Sequence, residues 1–241
     1  MKRFFDEELD QLRSHLTAMG TKAITQVRKA VRALMEKNPV LAEEVRANDN
    51  DLDRLEMEVD AEVLRYMGLR APVARDLRLV VVGMKAGHDL ERVGDEANNI
   101  AKRVKRFSLQ PPVKPFPDLP RMASLVEELL RDALDAFFEG NVEKSLMVCQ
   151  RDKEVDALNK EIYAGLATGM AANPAIIPAA LELMFVSRSL ERIGDHATNI
   201  AEEVIFLLRG KDIRHAKRLT GEPPEALLRK ERAETDMDSN P

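Results

Sequence analysis

One twelve-residue motif occurs twice in this chain, one hundred residues apart. Residues 90–101 read LERVGDEANNIA and residues 190–201 read LERIGDHATNIA, with nine of the twelve positions identical. A weaker echo lies upstream, where the D-x-x-x-D spacing at 49–53 returns at 152–156. A repeat of this kind indicates an internal duplication, so we expect two similar units rather than one irregular domain.

Apolar residues follow the period of a helix, and no stretch alternates with the period of a strand. In the first copy, apolar positions from Phe5 to Leu34 are spaced three and four residues apart. Asn38-Pro39 predicts the end of this first helix, and Gly68 predicts the end of a second. A third helix is predicted to open at Ala71-Pro72 and to carry the first motif.

The second copy repeats this plan. Helices are predicted near residues 118–138 and 142–167, and a last helix from Asn173-Pro174 to about Leu208. Short turns between long helices are typical of antiparallel bundles. We therefore predict an all-α fold of two tandem three-helix bundles related by internal duplication.

Composition along the chain suggests the domain boundaries. The first bundle is assigned to residues 1–107 and the second to residues 121–219. Between them, residues 108–120 contain five prolines, which block helix propagation and stiffen a linker. Residues 220–241 are polar and charge-balanced, and we expect them to form a disordered tail.

Composition also excludes several classes of protein. The formal net charge of -5 argues against general nucleic-acid binding, which usually shows a basic footprint. Cys149 is the only cysteine, so neither an internal disulfide nor a cysteine-based zinc site can form within the chain. No apolar run approaches the ~18 residues of a membrane span, and no signal sequence is evident. We expect a cytoplasmic protein without direct membrane insertion.

Acidic residues form stripes on the predicted helices. Glu91, Asp95 and Asn99 are spaced four residues apart, which places them on one helix face, and the second motif repeats this pattern. Like charges at this spacing destabilise a helix by roughly 0.2–0.5 kcal/mol per pair, so a duplicated stripe calls for a compensating cation. Oxygen donors favour Mg²⁺, Ca²⁺, Mn²⁺ or iron. The predicted metal ligands are Asp49, Asp53, Glu91, Asp95, Asn99, Asp152, Asp156, Glu191, Asp195 and Asn199.

A glycine stands inside each motif, at Gly94 and Gly194. Glycine costs roughly 1 kcal/mol in a helix interior relative to alanine, so its presence there calls for a reason. We expect a neighbouring helix or a bound group to approach the backbone closely at both positions.

Other interpretations of the stripes remain open. They could form a solvated face. In that case Arg92 would pair with Asp95 and Glu96, and Arg192 would pair with Asp195. The chain could also be a helical adaptor without metal. A metalloprotein of di-iron oxidase or metal-storage type is the alternative from another class, but those sites use Glu-x-x-His pairs, and the chain contains none. No phosphate loop, nucleophile elbow or catalytic triad is evident, so we do not expect an enzyme.

The tandem motif resembles the paired signature of the PhoU family, the regulators of bacterial phosphate uptake and phosphate signalling. The likeness extends over nearly all of the predicted helical region. Other segments that carry it are FDEELDQLRSHLTAMG at 5–20, NDNDLDRLE at 48–56, RDLRLVV at 75–81, RDKEVDALNKEI at 151–162 and GKDIRH at 210–215.

The resemblance implies a flat, cytoplasmic molecule of two symmetric three-helix bundles that is often a homodimer. It implies metal binding through the E/D-x-x-x-D motifs, which contain eight of the ten predicted ligands. It also implies an adaptor between the ATPase subunit of the phosphate ABC transporter and a phosphate-sensing histidine kinase, damping both when phosphate is plentiful. One departure is Glu96, which stands where the second copy has His196, so the two sites are predicted to differ in affinity or metal.

Overall fold

The structure is a computed structural model that describes residues 6–113 and 117–214, with side chains described from residue 10. All regular elements in these ranges are helical, which confirms the all-α prediction. The predicted tail at 220–241 lies outside the described residues. The helices are α1 (Asp6–Met35), α2 (Pro39–Ala47), α3 (Asn50–Arg70), α4 (Ala74–Ser108), α5 (Leu119–Glu139), α6 (Val142–Ala172) and α7 (Ile177–Arg209), with a short 3-10 turn at Pro174–Ile176.

The predicted second helix of the first copy is two helices, α2 and α3. The break falls at Asn48, where the backbone turns to φ -92° and ψ 4°, and Gln26 Nε2 of α1 donates a 2.9 Å hydrogen bond to the Asn48 carbonyl. The prediction that Gly68 ends the helix is also wrong. The α3 helix passes through Gly68 and ends where Ala71 adopts a left-handed backbone, with φ 44°.

The two copies begin their second helices with the same cap. Asn38 Oδ1 accepts hydrogen bonds from the backbone N–H groups of Val40 and Leu41, both at 3.1 Å. Asn141 Oδ1 accepts one from Lys144 N at 3.0 Å. An asparagine at this position satisfies backbone donors that the first turn of a helix leaves free, so it sets where the helix begins.

The motif-bearing helices α4 and α7 pack against each other at the centre of the molecule. Helix α1 packs on α4, and α5 packs on α7, while α3 and α6 flank their own copies. Buried residues from both copies belong to one continuous apolar core. Within the described ranges, no helix combines the length and apolarity that crossing a membrane requires.

Polar contacts accompany the apolar packing between α4 and α7. Asp89 Oδ1 lies 2.8 Å from His196 Nδ1 and accepts a 3.1 Å hydrogen bond from Asn199 Nδ2. Arg192 Nη1 donates a 2.9 Å hydrogen bond to Glu96 Oε1. These pairs join one copy to the other, and both carboxylates are buried.

Candidate metal centres

Four carboxylates of the first copy form a cluster between α3 and α4, which we call the first acidic cluster: Asp49, Asp53, Glu91 and Asp95. Asp49 precedes the first turn of α3, and the other three lie on facing turns of α3 and α4. Burial raises the pKa of Glu91 to about 7, and the charge of Asp95 adds to the effect. Burial also raises the pKa of Asp49, again with Asp95 contributing. The charges of Asp53 and Asp95 therefore lie close enough to Asp49 and Glu91 to oppose the ionisation of those two groups.

The second copy repeats this arrangement between α6 and α7, in the second acidic cluster: Asp152, Asp156, Glu191 and Asp195. Burial raises the pKa of Asp152 to about 7, with Asp195, Asp156 and Glu191 adding to it in that order. The pKa values of Glu191 and Asp195 are raised as well, first by burial. Charge effects on the pKa thus link eight of the ten predicted ligands into two sets of four. Among the described residues, the three donors whose ligand atoms all lie within 4.8 Å of one another are a different group, Glu56, His88 and Glu91.

The motif glycines bring the helices of each cluster together. A Cβ atom on Gly94 would lie 2.4 Å from Leu52 Cδ1 on α3, and one on Gly194 would lie 3.0 Å from Asp152 Oδ1 on α6. Both distances are shorter than an ordinary van der Waals contact, so a methyl group at either position would force the Leu52 or the Asp152 side chain to shift. The predicted close approach of a neighbouring helix is confirmed at both glycines.

Each cluster contains a buried oxygen atom without a hydrogen-bond partner. Glu91 Oε2 and Glu191 Oε2 accept no hydrogen bond, although Arg92 Nε forms an ion pair with Glu91 Oε2 at 3.3 Å, and the two side chains are 12% and 13% exposed. Leaving a buried acceptor unpaired costs about 1–3 kcal/mol, and more when it is charged. A divalent cation would pair these oxygens and lower the mutual repulsion, so the donor set fits a hard metal ion.

Comparison with known proteins decides the family. The model of the PhoU domain matches residues 16–104 and again residues 119–204. The chain belongs to the PhoU domain family. The two matched ranges contain both motifs and both acidic clusters.

Relatives in this family match the chain over most of its length. A phosphate-specific transport system accessory protein PhoU homolog from Pseudomonas putida is 41% identical over 221 residues, which cover 90% of this chain and 86% of that protein. The homolog from Pseudomonas aeruginosa is 41% identical over 212 residues and 88% of each chain.

Two solved PhoU structures share the fold. The crystal structure of PhoU from Pseudomonas aeruginosa superposes with a TM-score of 0.82 at 40% identity, covering 86% of this chain and all of that one. The phosphate transport system regulatory protein PhoU from Streptococcus pneumoniae gives a TM-score of 0.79 at 28% identity, covering 86% of this chain and 98% of that one. The resemblance to PhoU proteins found in the sequence is thereby confirmed.

The structure does not place Asn99 and Asn199 with the carboxylates of the acidic clusters. Asn99 Nδ2 donates to Glu96 Oε2 at 3.3 Å on its own helix, and Asn199 Nδ2 donates across to Asp89. Asn98 takes the place expected of Asn99, because its Nδ2 atom donates a short hydrogen bond to Asp49 Oδ2. Asn98 is buried, and its Oδ1 atom accepts no hydrogen bond.

A histidine that is absent from the predicted ligands adjoins the first acidic cluster. His88 Nδ1 lies 2.9 Å from Glu56 Oε1, and one ligand atom from each of Glu56, His88 and Glu91 lies within 4.8 Å of the other two. The signal was present in the chain as His88-x-x-Glu91. It was missed because only the order Glu-x-x-His was sought, although residues three apart share a helix face in either order.

The two acidic clusters differ at these neighbouring positions. The second copy has Arg188 where the first has His88, and Arg188 Nη1 donates a 2.7 Å hydrogen bond to Glu191 Oε1. It has Asn159 where the first has Glu56, and Asn159 accepts a hydrogen bond from Ser187 instead. The first cluster therefore has more potential metal donors beside it. An arginine forms an ion pair with the glutamate of each cluster, Arg92 with Glu91 and Arg188 with Glu191.

Arginines provide part of the pairing that the solvated-face interpretation requires. Arg92 Nη1 donates to Asp95 Oδ2 at 2.8 Å, as that interpretation expects, but both side chains are substantially exposed and the pair is worth little. Arg192 pairs with Glu96 of the other copy rather than with Asp195. Glu96 and His196, the departure between the motifs, each form a polar contact across the α4–α7 interface, Glu96 with Arg192 and His196 with Asp89.

Proposed function

We propose that this chain is a non-enzymatic regulator of phosphate uptake and of phosphate-responsive two-component signalling. Its curated relatives are named as accessory proteins of the phosphate-specific transport system, and a solved relative is named as a regulatory protein of phosphate transport. We further propose that the chain acts in the cytoplasm as a homodimer. There it connects the ATPase subunit of the phosphate ABC transporter with a phosphate-sensing histidine kinase and damps both when phosphate is plentiful.

The regulator binds divalent metal or iron in the two acidic clusters. The observation that carries this part is that each cluster has a glutamate oxygen without a hydrogen bond, Glu91 Oε2 or Glu191 Oε2, among carboxylates that raise the pKa of that glutamate. Metal there would hold α3 against α4 and α6 against α7. Metal occupancy would set the shape of the faces that partners contact. The regulator can shift a partner between two conformations only if it binds one of them more tightly than the other.

Exposed apolar side chains support a partner-binding role. On α3, Met57 is 72% exposed and Leu64 is 67% exposed, and seven residues separate them, so they share one face. Large apolar side chains exposed together commonly mark protein interaction surfaces. This face belongs to α3, the same helix that supplies Asp53 to the first acidic cluster.

A complementation experiment tests the proposal. A strain that lacks the gene would receive the wild-type chain, Glu91→Gln with Glu191→Gln, or the matched surface control Glu161→Gln. Wild type and control should bind the transporter ATPase subunit and repress a phosphate-starvation reporter in rich phosphate, and the double variant should do so only partly. Failure of the wild-type chain to repress or to bind the subunit would refute the regulatory role. Full activity of the double variant would refute the role of metal.

One observation favours the alternative of a di-iron or metal-storage protein. The Glu56, His88 and Glu91 group combines imidazole with carboxylate beside further carboxylates, a donor set suited to iron. Oxygen consumption after addition of ferrous iron separates the two functions. Turnover that Glu91→Gln abolishes would establish the oxidase, whereas its absence with stable metal binding would leave the regulator.

A further inference from the structure

A second kind of site lies beside the acidic clusters. A cavity of about 380 Å³ opens between α2 and the C-terminal part of α4. Its charged lining, which defines what we call the basic pocket, consists of Arg46, Lys102, Arg103, Lys105 and Arg106 with the single carboxylate Glu43. Five cations against one carboxylate make a strongly positive surface in a chain whose formal net charge is -5.

Three of these cations are free to bind a ligand. Arg46 pairs with Glu43 at 2.8 Å, and Arg103 pairs with Glu182 at 3.2 Å. In the part of the chain that the structure describes, the remaining three form no ion pair and no side-chain hydrogen bond. These three are Lys102, Lys105 and Arg106.

The fold does not require these cations. Residues 102–106 read KRVKR, and the equivalent residues 202–206 of the second copy read EEVIF. The second sequence continues the same helix, because α7 runs to Arg209 as α4 runs to Ser108. The charge reversal therefore belongs to the first copy alone and is not inherited from the duplication.

The second copy fills the equivalent space with apolar side chains. Ile205, the counterpart of Lys105, packs with Ile213, and both are at most 1% exposed. Val142 and Leu146 pack against them. These two residues correspond to Pro39 and Glu43 of the first copy, at the same sequence separation as Asp152 from Asp49. What is a closed apolar contact in the second copy is an open, positively charged cavity in the first.

We propose that the basic pocket binds a small molecule that carries one or more phosphate groups. Lysine and arginine side chains are the groups that proteins use to pair phosphate oxygens. The volume lies at the lower end of the roughly 300–1,000 Å³ typical of small-molecule sites. Pro39, Ala42 and Ala101 also line the cavity and offer an uncharged surface for the rest of such a ligand. This site needs no metal. It adjoins the first acidic cluster, because the charge of Lys102 acts on Asp49, but none of that cluster's carboxylates lines the pocket.

Calorimetric titration of the full chain tests this inference, with inorganic phosphate, pyrophosphate and ATP as probes. A chelator in the buffer keeps metal from bridging a probe to the acidic clusters. The principal variant, Lys102→Glu with Lys105→Ile, installs residues that the second copy already accommodates. A second variant, Lys105→Gln with Arg106→Gln, changes only side chains that contribute no described pair. The matched control is Lys160→Glu, which removes an exposed cation on α6.

Both pocket variants should weaken the binding of the preferred probe by at least about tenfold, the loss expected for one charge-assisted contact, and the control should leave it unchanged. Preference for pyrophosphate or ATP would identify a polyphosphorylated ligand, and preference for inorganic phosphate would identify the free ion. Absence of binding by the wild-type chain to all three probes would overturn the inference. Equal binding by wild type and both variants would also overturn it. Neither result bears on whether the acidic clusters hold metal, so the two proposals fail separately.

Discussion

Glu91 and Glu191 stand one hundred residues apart and occupy equivalent places in the two acidic clusters, each with a buried Oε2 atom that accepts no hydrogen bond. Burial raises the pKa of both side chains. Without a cation, these carboxylates destabilise the folded chain, because burial and mutual repulsion both disfavour the charged form. The same destabilising arrangement therefore occurs once in each copy, and a bound metal ion would offset the repulsion in both.

Replacing one buried carboxylate by its amide should separate the cost of charge from the benefit of metal. At pH 8 in chelator, Asp152→Asn should raise the free energy of unfolding by about 1–2 kcal/mol. The gain is moderate because solvent still reaches the carboxylate and screens its repulsion with its neighbours. The neutral amide no longer repels Asp195 and Asp156. The variant should also lose most of the stabilisation by added Mn²⁺, measured by urea denaturation. Glu154→Gln, exposed on the same helix, is the control and should change neither quantity.

Stability of the metal-free protein should depend on pH through the acidic clusters. Burial raises the pKa of Glu91 and of Asp152 to about 7, from ordinary values of 4.5 and 3.8. The folded chain keeps these protons up to about pH 7, and the unfolded chain releases them near pH 4. The free energy of unfolding that these groups contribute therefore falls as pH rises from about 4 to 7 and levels off above.

Melting curves in chelator between pH 5 and 8 measure this dependence. The Glu91→Gln, Asp152→Asn double variant should show a flatter profile than wild type. Metal affinity should change in the opposite direction and strengthen as pH rises toward 8, because ligands must lose their protons to bind. Identical profiles for wild type and double variant would show that the clusters do not titrate in this range.

The glycines offer a matched pair of substitutions with opposite effects. Gly94→Ala should destabilise the chain by about 1–3 kcal/mol, because the new Cβ atom would overlap buried Leu52. Gly165 lies within α6 with open space around its Cα atom, so Gly165→Ala should stabilise by about 0.5–1 kcal/mol through helix propensity. Urea denaturation checks both, and a neutral Gly94→Ala would mean that the Leu52 side chain can move aside without cost.

Much of this organisation follows from the sequence. Helical periodicity and the Asn-Pro and Gly-Asn boundaries predict most of the helix ends, because those signals act locally. The break between α2 and α3 does not follow, since it involves a hydrogen bond from Gln26, which lies 22 residues earlier in the chain. The end of α3 beyond Gly68 could not be read either, because glycine permits a helix end without requiring one.

The site shows the same division between local pattern and packing. The spacing of Glu91 and Asp95 places two carboxylates on one face, and at about 100° per residue both Asn98 and Asn99 lie within reach of that face. The packing of α3 against α4 decides between them and selects Asn98, which contacts Asp49. Periodicity cannot make that choice, because it carries no information about the partner helix.

The interface between the copies should depend on Asp89. Asp89→Ala would leave His196 and Asn199 without the oxygen that both contact, at a cost of about 1–3 kcal/mol. Chemical denaturation measures this loss, with Glu161→Ala as an exposed control. A change below about 0.5 kcal/mol would show that apolar packing alone holds α4 against α7.

The metal content of the full chain, purified without chelator, tests the central claim most directly when paired with melting curves before and after EDTA. The account predicts at least one Mn, Fe, Mg or Ca ion per chain, with the first acidic cluster the better occupied, since the additional donors His88 and Glu56 adjoin it. Chelation should lower the melting temperature, and Glu91→Gln should reduce both the metal content and the effect of EDTA. Protein that contains no metal and whose melting temperature does not respond to EDTA or to added divalent ions would contradict the claim.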